Sequence, residues 1–338
     1  MNKVVRHLAG QRLVLGFDGT RFNSDLEVLI GRFQAGGIIL FRQNIVSPEQ
    51  VAQLCADVQA FAASCGQPPL FIAVDQEGGV VSRLPAPFTQ FDGNPLIRTR
   101  EAANAFARIT ARELHDVGIN MNLAPVVDVV SDHTGAIMNT RAFPGDAWTV
   151  ADLGTAVIQT LQSYGVMAVA KHFPGIGRTV LDSHHLLPVL DVELAVLQAA
   201  DLIPFEAAVR ADVSGIMVSH ILCSQLDPRW QASLSVTIAH DMIRQGLGFD
   251  GLVLTDDLDM KAIHHDMDTC MGRILAAGID LALVCHQGPN IEKVFEALVR
   301  RLDGDTKTLD MGRVCVERIY RYKQQYLGWT PPKNVSGG

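Results

Sequence analysis

Eight short, unbroken apolar runs, separated by amphipathic stretches, constrain this chain more than any other feature. They read LVLGF (13–17), GGIILF (36–41), LFIAV (70–74), NMNLAPV (120–126), VMAVA (166–170), GIMVS (215–219), GLVLT (251–255) and LALVC (281–285). Each is too short for a typical helix and is rich in β-branched or aliphatic residues, as a strand buried on both faces must be. The stretches between them carry helical signals. Ser47, Pro48 and Gln50 form a capping pattern before VAQLCADVQAFAAS, and Gly118 and Gly165 close two further amphipathic segments. Eight strands alternating with helices predict an α/β fold, a single (β/α)8 barrel of the TIM type, with some irregularity allowed in its early strands. An open doubly wound sheet would want G-x-G-x-x-G after the first strand, and GFDGTRFNSD does not supply it.

A chain of 338 residues fits one such barrel. The expectation is one catalytic domain, with barrel and flanking helices over about 8–327 and a frayed Pro/Gly/Ser tail over 328–338. Apolar residues make up 48% and charged residues 19%, the balance of a compact soluble globule. A net charge of −8 and a pI near 5.7 argue against nucleic acid or an anionic membrane as partner. No apolar run approaches the ~18 residues of a membrane span. Gly10, Gln11 and Arg12 break the N-terminal apolar segment, which makes a poor signal peptide. The six cysteines are scattered, with no C-x-x-C. They indicate neither a disulfide scaffold nor a zinc site, and the cytoplasm is the expected setting. No cofactor, metal or obligatory protein partner is expected.

In a barrel of this type the reacting groups stand at the carboxyl ends of the strands. The residues there are Asp18, Arg42, Asp75, Asp128, Lys171 with His172, His220, Asp256 with Asp257, and His286. Strand ends are exposed, so any one polar residue needs no special reason. A whole ring of charge at one mouth suggests a polar ligand. Carboxylates accept protons from hydroxyls while lysine and arginine donate to their oxygens, which makes carbohydrate the natural candidate.

Four motifs sharpen this: VDQEGGVVSRL (74–84), KHFPGIG (171–177), LDSHHLLP (181–188) and GFDGLVLTDDLDM (248–260). Together, and in this order, they resemble family 3 of the glycoside hydrolases, in particular its single-barrel β-N-acetylglucosaminidases of bacterial cell-wall recycling. The resemblance implies a retaining enzyme in which Asp256 is the nucleophile. Asp257 is the alternative, since neighbours on an extended segment point to opposite sides. Many family members take an acid/base glutamate from a second domain. The single-barrel relatives use a histidine–aspartate dyad on the loop after the fifth strand, which maps onto His184 as acid/base and Asp182 as its orienting group. An imidazole titrates near neutrality and suits both roles. His185 is the competing acid. The family's sugar-binding residues map onto Asp75, Arg83, Arg141, Lys171 and His172, although surface ion pairing would also account for Arg83 and Arg141. Asp128 and His220 are candidates for orienting their neighbours or the substrate's acetamido group. Gly175 and Gly177 are candidate flexible points of the loop. The implied partner is a small N-acetylglucosamine-containing muropeptide or disaccharide.

The sequence departs from the family at Ile176, where a second histidine is common, and in the adjacent pair His264–His265. Neither change touches the nucleophile or the dyad. Other readings compete with hydrolysis. His172, His220 and Asp256 could form a metal site, a retired barrel could serve as a sugar sensor, and a histidine acid/base would admit phosphate in place of water.

Overall fold

The structure is a computed structural model that describes residues 2–130, 137–179 and 187–330. The eight expected strands are present as β1 (Leu13–Leu15), β2 (Gly37–Leu40), β3 (Phe71–Val74), β4 (Met121–Asn122), β5 (Met167–Phe173), β7 (Gly215–Val218), β9 (Leu252–Asp257) and β10 (Leu281–Val284). They close into one parallel barrel in chain order. Two short strands unforeseen in the sequence, β6 (Val189–Leu190) and β8 (Leu222–Cys223), pair with each other outside it. The fourth run pairs over two residues only. It contains Pro125, which lacks the N–H that a longer ladder would need.

Alternation within the strands divides the core in two. Ile39, Phe71, Ala73, Met121, Met167, Val169, Met217, Leu252, Leu254 and Leu281 fill the barrel interior. Their neighbours Ile38, Leu40, Ile72, Val74, Ala168, Ala170, Ile216 and Val253 pack outward beneath the helices. Burial on both faces is why the runs carry no polar alternation. The helices follow their sequence signals. Ser47 Oγ accepts the Gln50 N–H at 3.2 Å at the head of Pro48–Ser64, and Thr99 caps Arg100–Asp116. The last helix, Thr306–Leu327, packs Ile319 and Lys323 across the amino-terminal end of the barrel. No helix among the described residues is long and apolar enough to cross a membrane.

Candidate active site

The interior face continues past the hydrophobic layers. Phe71 and Ala73 face inward, so Asp75 carries their face to the rim. Met167 and Val169 do the same for Lys171, and Leu252 and Leu254 for Asp256. Lys171, His172, Asp256 and Asp257 lie within their strands, not beyond them as the sequence suggests. The pairing of β5 with β7 shifts register between Ala170 and Phe173, and His172 therefore reaches the mouth beside Lys171. Asp75, Arg83, Arg141, Lys171, His172 and Asp256 line a single small cavity of about 100 Å³. All five proposed sugar-binding residues and the proposed nucleophile are thus brought together.

Glu77 organises this cavity, although no sequence argument singled it out. Its Oε1 accepts from Arg141 Nη2 and Lys171 Nζ, both at 2.7 Å, and its Oε2 accepts from Arg141 Nε at 2.9 Å. Lys171 Nζ also donates to Asp75 Oδ1 at 2.7 Å. Burial alone would push the Glu77 carboxyl up, but Lys171 and Arg141 outweigh it and hold the pKa at about 2. The available signal was spacing. Glu77 stands two residues after Asp75 in VDQEGG, so it shares the inward side of an extended segment with Asp75. Gln76 pins the loop between them: its Oε1 accepts the N–H groups of Arg83 and Leu84, and its own N–H reaches Asn122 Oδ1.

Asp128 lies behind the cavity wall, fully buried. Its Oδ2 is 2.8 Å from His172 Nδ1, and its Oδ1 accepts the Ile176 N–H at 2.8 Å. It therefore orients the imidazole, whose Nε2 lies 3.3 Å from Arg141 Nη2. Arg83 is the loosest member. Its Nη2 is 3.9 Å from Asp75 Oδ2, and its guanidinium lies 5.5 Å from the Phe41 ring centroid.

The two adjacent aspartates separate cleanly. Asp256 faces the cavity. Burial raises its pKa, but His220, His172 and Lys171 more than offset this and leave it below the ordinary carboxylate value. Asp257 turns the other way, and its Oδ1 accepts the N–H groups of Asp259 and Cys285, both at 3.0 Å. Burial pushes its carboxyl up, with Asp259 and Asp256 adding to the effect. One carboxylate is held ionised in the cavity, and the other serves as a cap between strand ends.

Not every charged strand end joins this group. Asp18 and His286 are exposed, and Arg42 donates to the Ile45 carbonyl. His220 is buried, with Nδ1 2.7 Å from Ser233 Oγ and Nε2 2.9 Å from the Asp257 carbonyl. With His172 held by Asp128 and Arg141, the set His172, His220 and Asp256 does not converge as metal ligands. Among the described residues, Asp257, Asp259 and His286 bring three ligand-type atoms within 4.8 Å of one another beside the cavity. The His265 ring meets Trp230 at 4.8 Å between centroids, tilted by 43°, away from the cavity lining. Asp182, His184 and His185 lie outside the described residues. Gly175 and Gly177 are packed rather than free hinge points. Gly175 has φ +115° against Asp201, and a Cβ on Gly177 would meet the Val129 carbonyl at 2.1 Å.

A larger groove of about 910 Å³ opens at the opposite end of the barrel, among His7, Pro69, Tyr320, Tyr326 and Trp329. It lacks the convergent charges of the small cavity, so size does not identify the reacting centre here.

Comparison with known proteins agrees with this fold. Residues 4–320 match the glycosyl hydrolase family 3 N terminal domain. A beta-hexosaminidase of Pseudomonas aeruginosa is 34% identical over 295 residues, covering 85% of this chain and 86% of that protein. Beta-hexosaminidase A of Pseudoalteromonas piscicida is 35% identical over 287 residues, covering 78% of this chain and 48% of that protein. The solved family 3 β-N-acetylglucosaminidase of Paenibacillus sp. superposes with a TM-score of 0.91 at 34% identity, covering 98% of this chain. This chain spans 65% of that protein's length. A β-N-acetylhexosaminidase from Beutenbergia cavernae superposes with a TM-score of 0.87 at 28% identity, covering 94% of this chain and 98% of that one.

Proposed function

The chain belongs to glycosyl hydrolase family 3, and on that premise we propose that it is a retaining exo-β-N-acetylglucosaminidase. As a β-N-acetylhexosaminidase it removes a terminal β-linked N-acetylglucosamine, here from peptidoglycan-derived fragments in the cytoplasm. The observation that carries the mechanism is Asp256, ionised and facing a cavity walled by hydrogen-bonding cations and carboxylates.

Asp75, Arg83, Arg141, Lys171 and His172 hold the sugar's hydroxyls and set the anomeric carbon over Asp256. The Asp256 carboxylate attacks that carbon as the glycosidic bond breaks, forming a covalent glycosyl-enzyme. His184, oriented by Asp182, protonates the departing oxygen and then deprotonates the water that releases the sugar. With the acid/base on a barrel loop, a single barrel domain completes the chemistry. The small cavity favours one terminal sugar over a chain threaded through a cleft.

The direct test is to trap the enzyme with a mechanism-based fluorosugar and map the label by mass spectrometry. The expected adduct is on Asp256, and Asp256→Asn lowers turnover of an aryl N-acetyl-β-glucosaminide on the order of 10⁴-fold. A label on Asp257, or substantial turnover by Asp256→Asn, refutes the assignment. His184→Ala is expected to slow poor leaving groups far more than activated phenols, because the latter depart without protonation. Equal losses for both would remove His184 from the acid role.

A further inference from the structure

The cavity wall is part polar and part apolar. Asp75, Glu77, Arg83, Arg141, Lys171, His172 and Asp256 are its polar residues; Val81, Ile137, Met138 and Ile176 are its apolar ones. Ile176 is the position where the sequence departs from its family motif, and it is 6% exposed. Its place is set by the same carboxylate that sets His172. Asp128 Oδ1 takes the Ile176 N–H at 2.8 Å, and Oδ2 lies 2.8 Å from His172 Nδ1. Thr179 fixes the other side, with its N–H and hydroxyl donating to the Ile176 carbonyl at 3.0 and 2.8 Å. The packed glycines on either side leave this segment little room to shift. Ile176 is therefore as firmly positioned as His172.

The polar wall suits hydroxyls, but the apolar wall offers nothing to a hydroxyl or an ammonium. The one apolar substituent on an N-acetylglucosamine ring is the acetyl methyl, attached through C2. C2 adjoins the anomeric carbon and so belongs on the Asp256 side of the cavity. Ile176 shares the Asp128 carboxylate with His172, and both line the same small cavity as Asp256.

Building on the proposed reaction, we infer that Ile176, with Ile137 and Met138, receives the acetyl methyl of the 2-acetamido group and determines the pocket's choice of C2 substituent. A methyl against this wall is removed from water at no polar cost, whereas a 2-hydroxyl or 2-ammonium there loses its hydrogen-bonding partners. Fit is also limited by volume, because Ile176 is held too firmly to retreat from a longer acyl chain.

The test varies the residue and the acyl group together. Wild type, Ile176→Ala and Ile176→Val are assayed with 4-nitrophenyl β-glucosaminides bearing N-acetyl, N-propionyl or N-butyryl groups. The wild type is expected to prefer N-acetyl. Ile176→Ala is expected to raise the kcat/KM ratio of N-propionyl to N-acetyl at least about fivefold, with Ile176→Val intermediate. A merely structural residue would lower all three substrates together, so an unchanged ratio overturns the inference. If the wild type turns over none of these glycosides, the proposed reaction has failed. The inference is then judged by calorimetry with N-acetyl- and N-propionylglucosamine, where a ratio unmoved by Ile176→Ala again overturns it.

Discussion

The two ends of the barrel each bury a lysine, with opposite results. Lys171 at the carboxyl end is 2% exposed, and Lys323 at the amino end is fully buried. For Lys171, burial lowers the pKa, but Asp75 and Glu77 more than compensate and leave it above the ordinary value. Lys323 donates to Gln11 Oε1 at 2.8 Å and stands 5.2 Å from the Phe71 ring centroid. Burial acts on it without a compensating carboxylate and pushes its pKa down to about 7. Equal burial thus leaves a favoured cation at one end and a disfavoured one at the other. The difference lies wholly in the partners. A charge kept at the mouth through two carboxylates is available to a substrate, whereas Lys323 supports packing and carries a cost whenever it is protonated.

The largest effect should follow from breaking the charged end. Lys171→Met leaves the buried Glu77 and the half-buried Asp75 with one cation fewer, and is expected to lower kcat/KM roughly 10²–10³-fold. It should also destabilise the fold by about 3–5 kcal/mol in urea denaturation. A variant near wild type in both would mean that Lys171 is not held as described.

Glu77→Gln is the next step down, because Asp75 still pairs Lys171 while Arg141 loses its bidentate partner. Activity is expected to fall roughly 10²-fold through misplacement of Arg141, with KM rising more than kcat falls. The same carboxylate makes an acid-side signature. Its folded pKa, about 2, lies below its unfolded value, so its stabilisation is present above the unfolded pKa and is lost as pH falls toward 2. The wild type should therefore lose stability between about pH 5 and pH 2 more steeply than Glu77→Gln.

Lys323 predicts the opposite slope. Its folded pKa lies below the unfolded one, so between about pH 7 and pH 10 the unfolded chain binds the extra proton and stability rises with pH. Relative to Lys323→Met, the wild type should gain up to about 1.4 kcal/mol per pH unit across that window. A flat difference would place the lysine in a better-solvated setting. The smallest effect expected is on catalysis. Lys323→Met at neutral pH should leave kcat/KM within about twofold, because the residue sits at the barrel end remote from the reacting groups.

These contrasts also mark what could be read in advance. Ser47, Thr99 and the apolar runs announced their helices and strands because capping and burial on both faces are local rules. The closed barrel followed from eight such runs in alternation with helices. Asp75, Lys171 and Asp256 were legible because each stands directly after an apolar run. Glu77 and the orienting role of Asp128 were not legible in the same way. Both act through partners distant in sequence, such as Arg141 for Glu77 and His172 for Asp128, and spacing along one strand says nothing about those meetings. The short β4 was visible in Pro125, although the run around it suggested a longer strand. Gly175 and Gly177 misled for a related reason. A glycine permits motion and permits close packing equally, and only Asp201 and the Val129 carbonyl decide for packing.

The sequence by itself determined the barrel, the family and the roster of charged groups at one mouth, because each depends on local pattern or motif. Only the tertiary structure decided which charges are paired, that Asp256 and not Asp257 faces the cavity as the ionised carboxylate, and that Lys171 and Lys323 differ. Those outcomes depend on desolvation set against nearby charge, and the neighbours that supply the charge arrive from other strands.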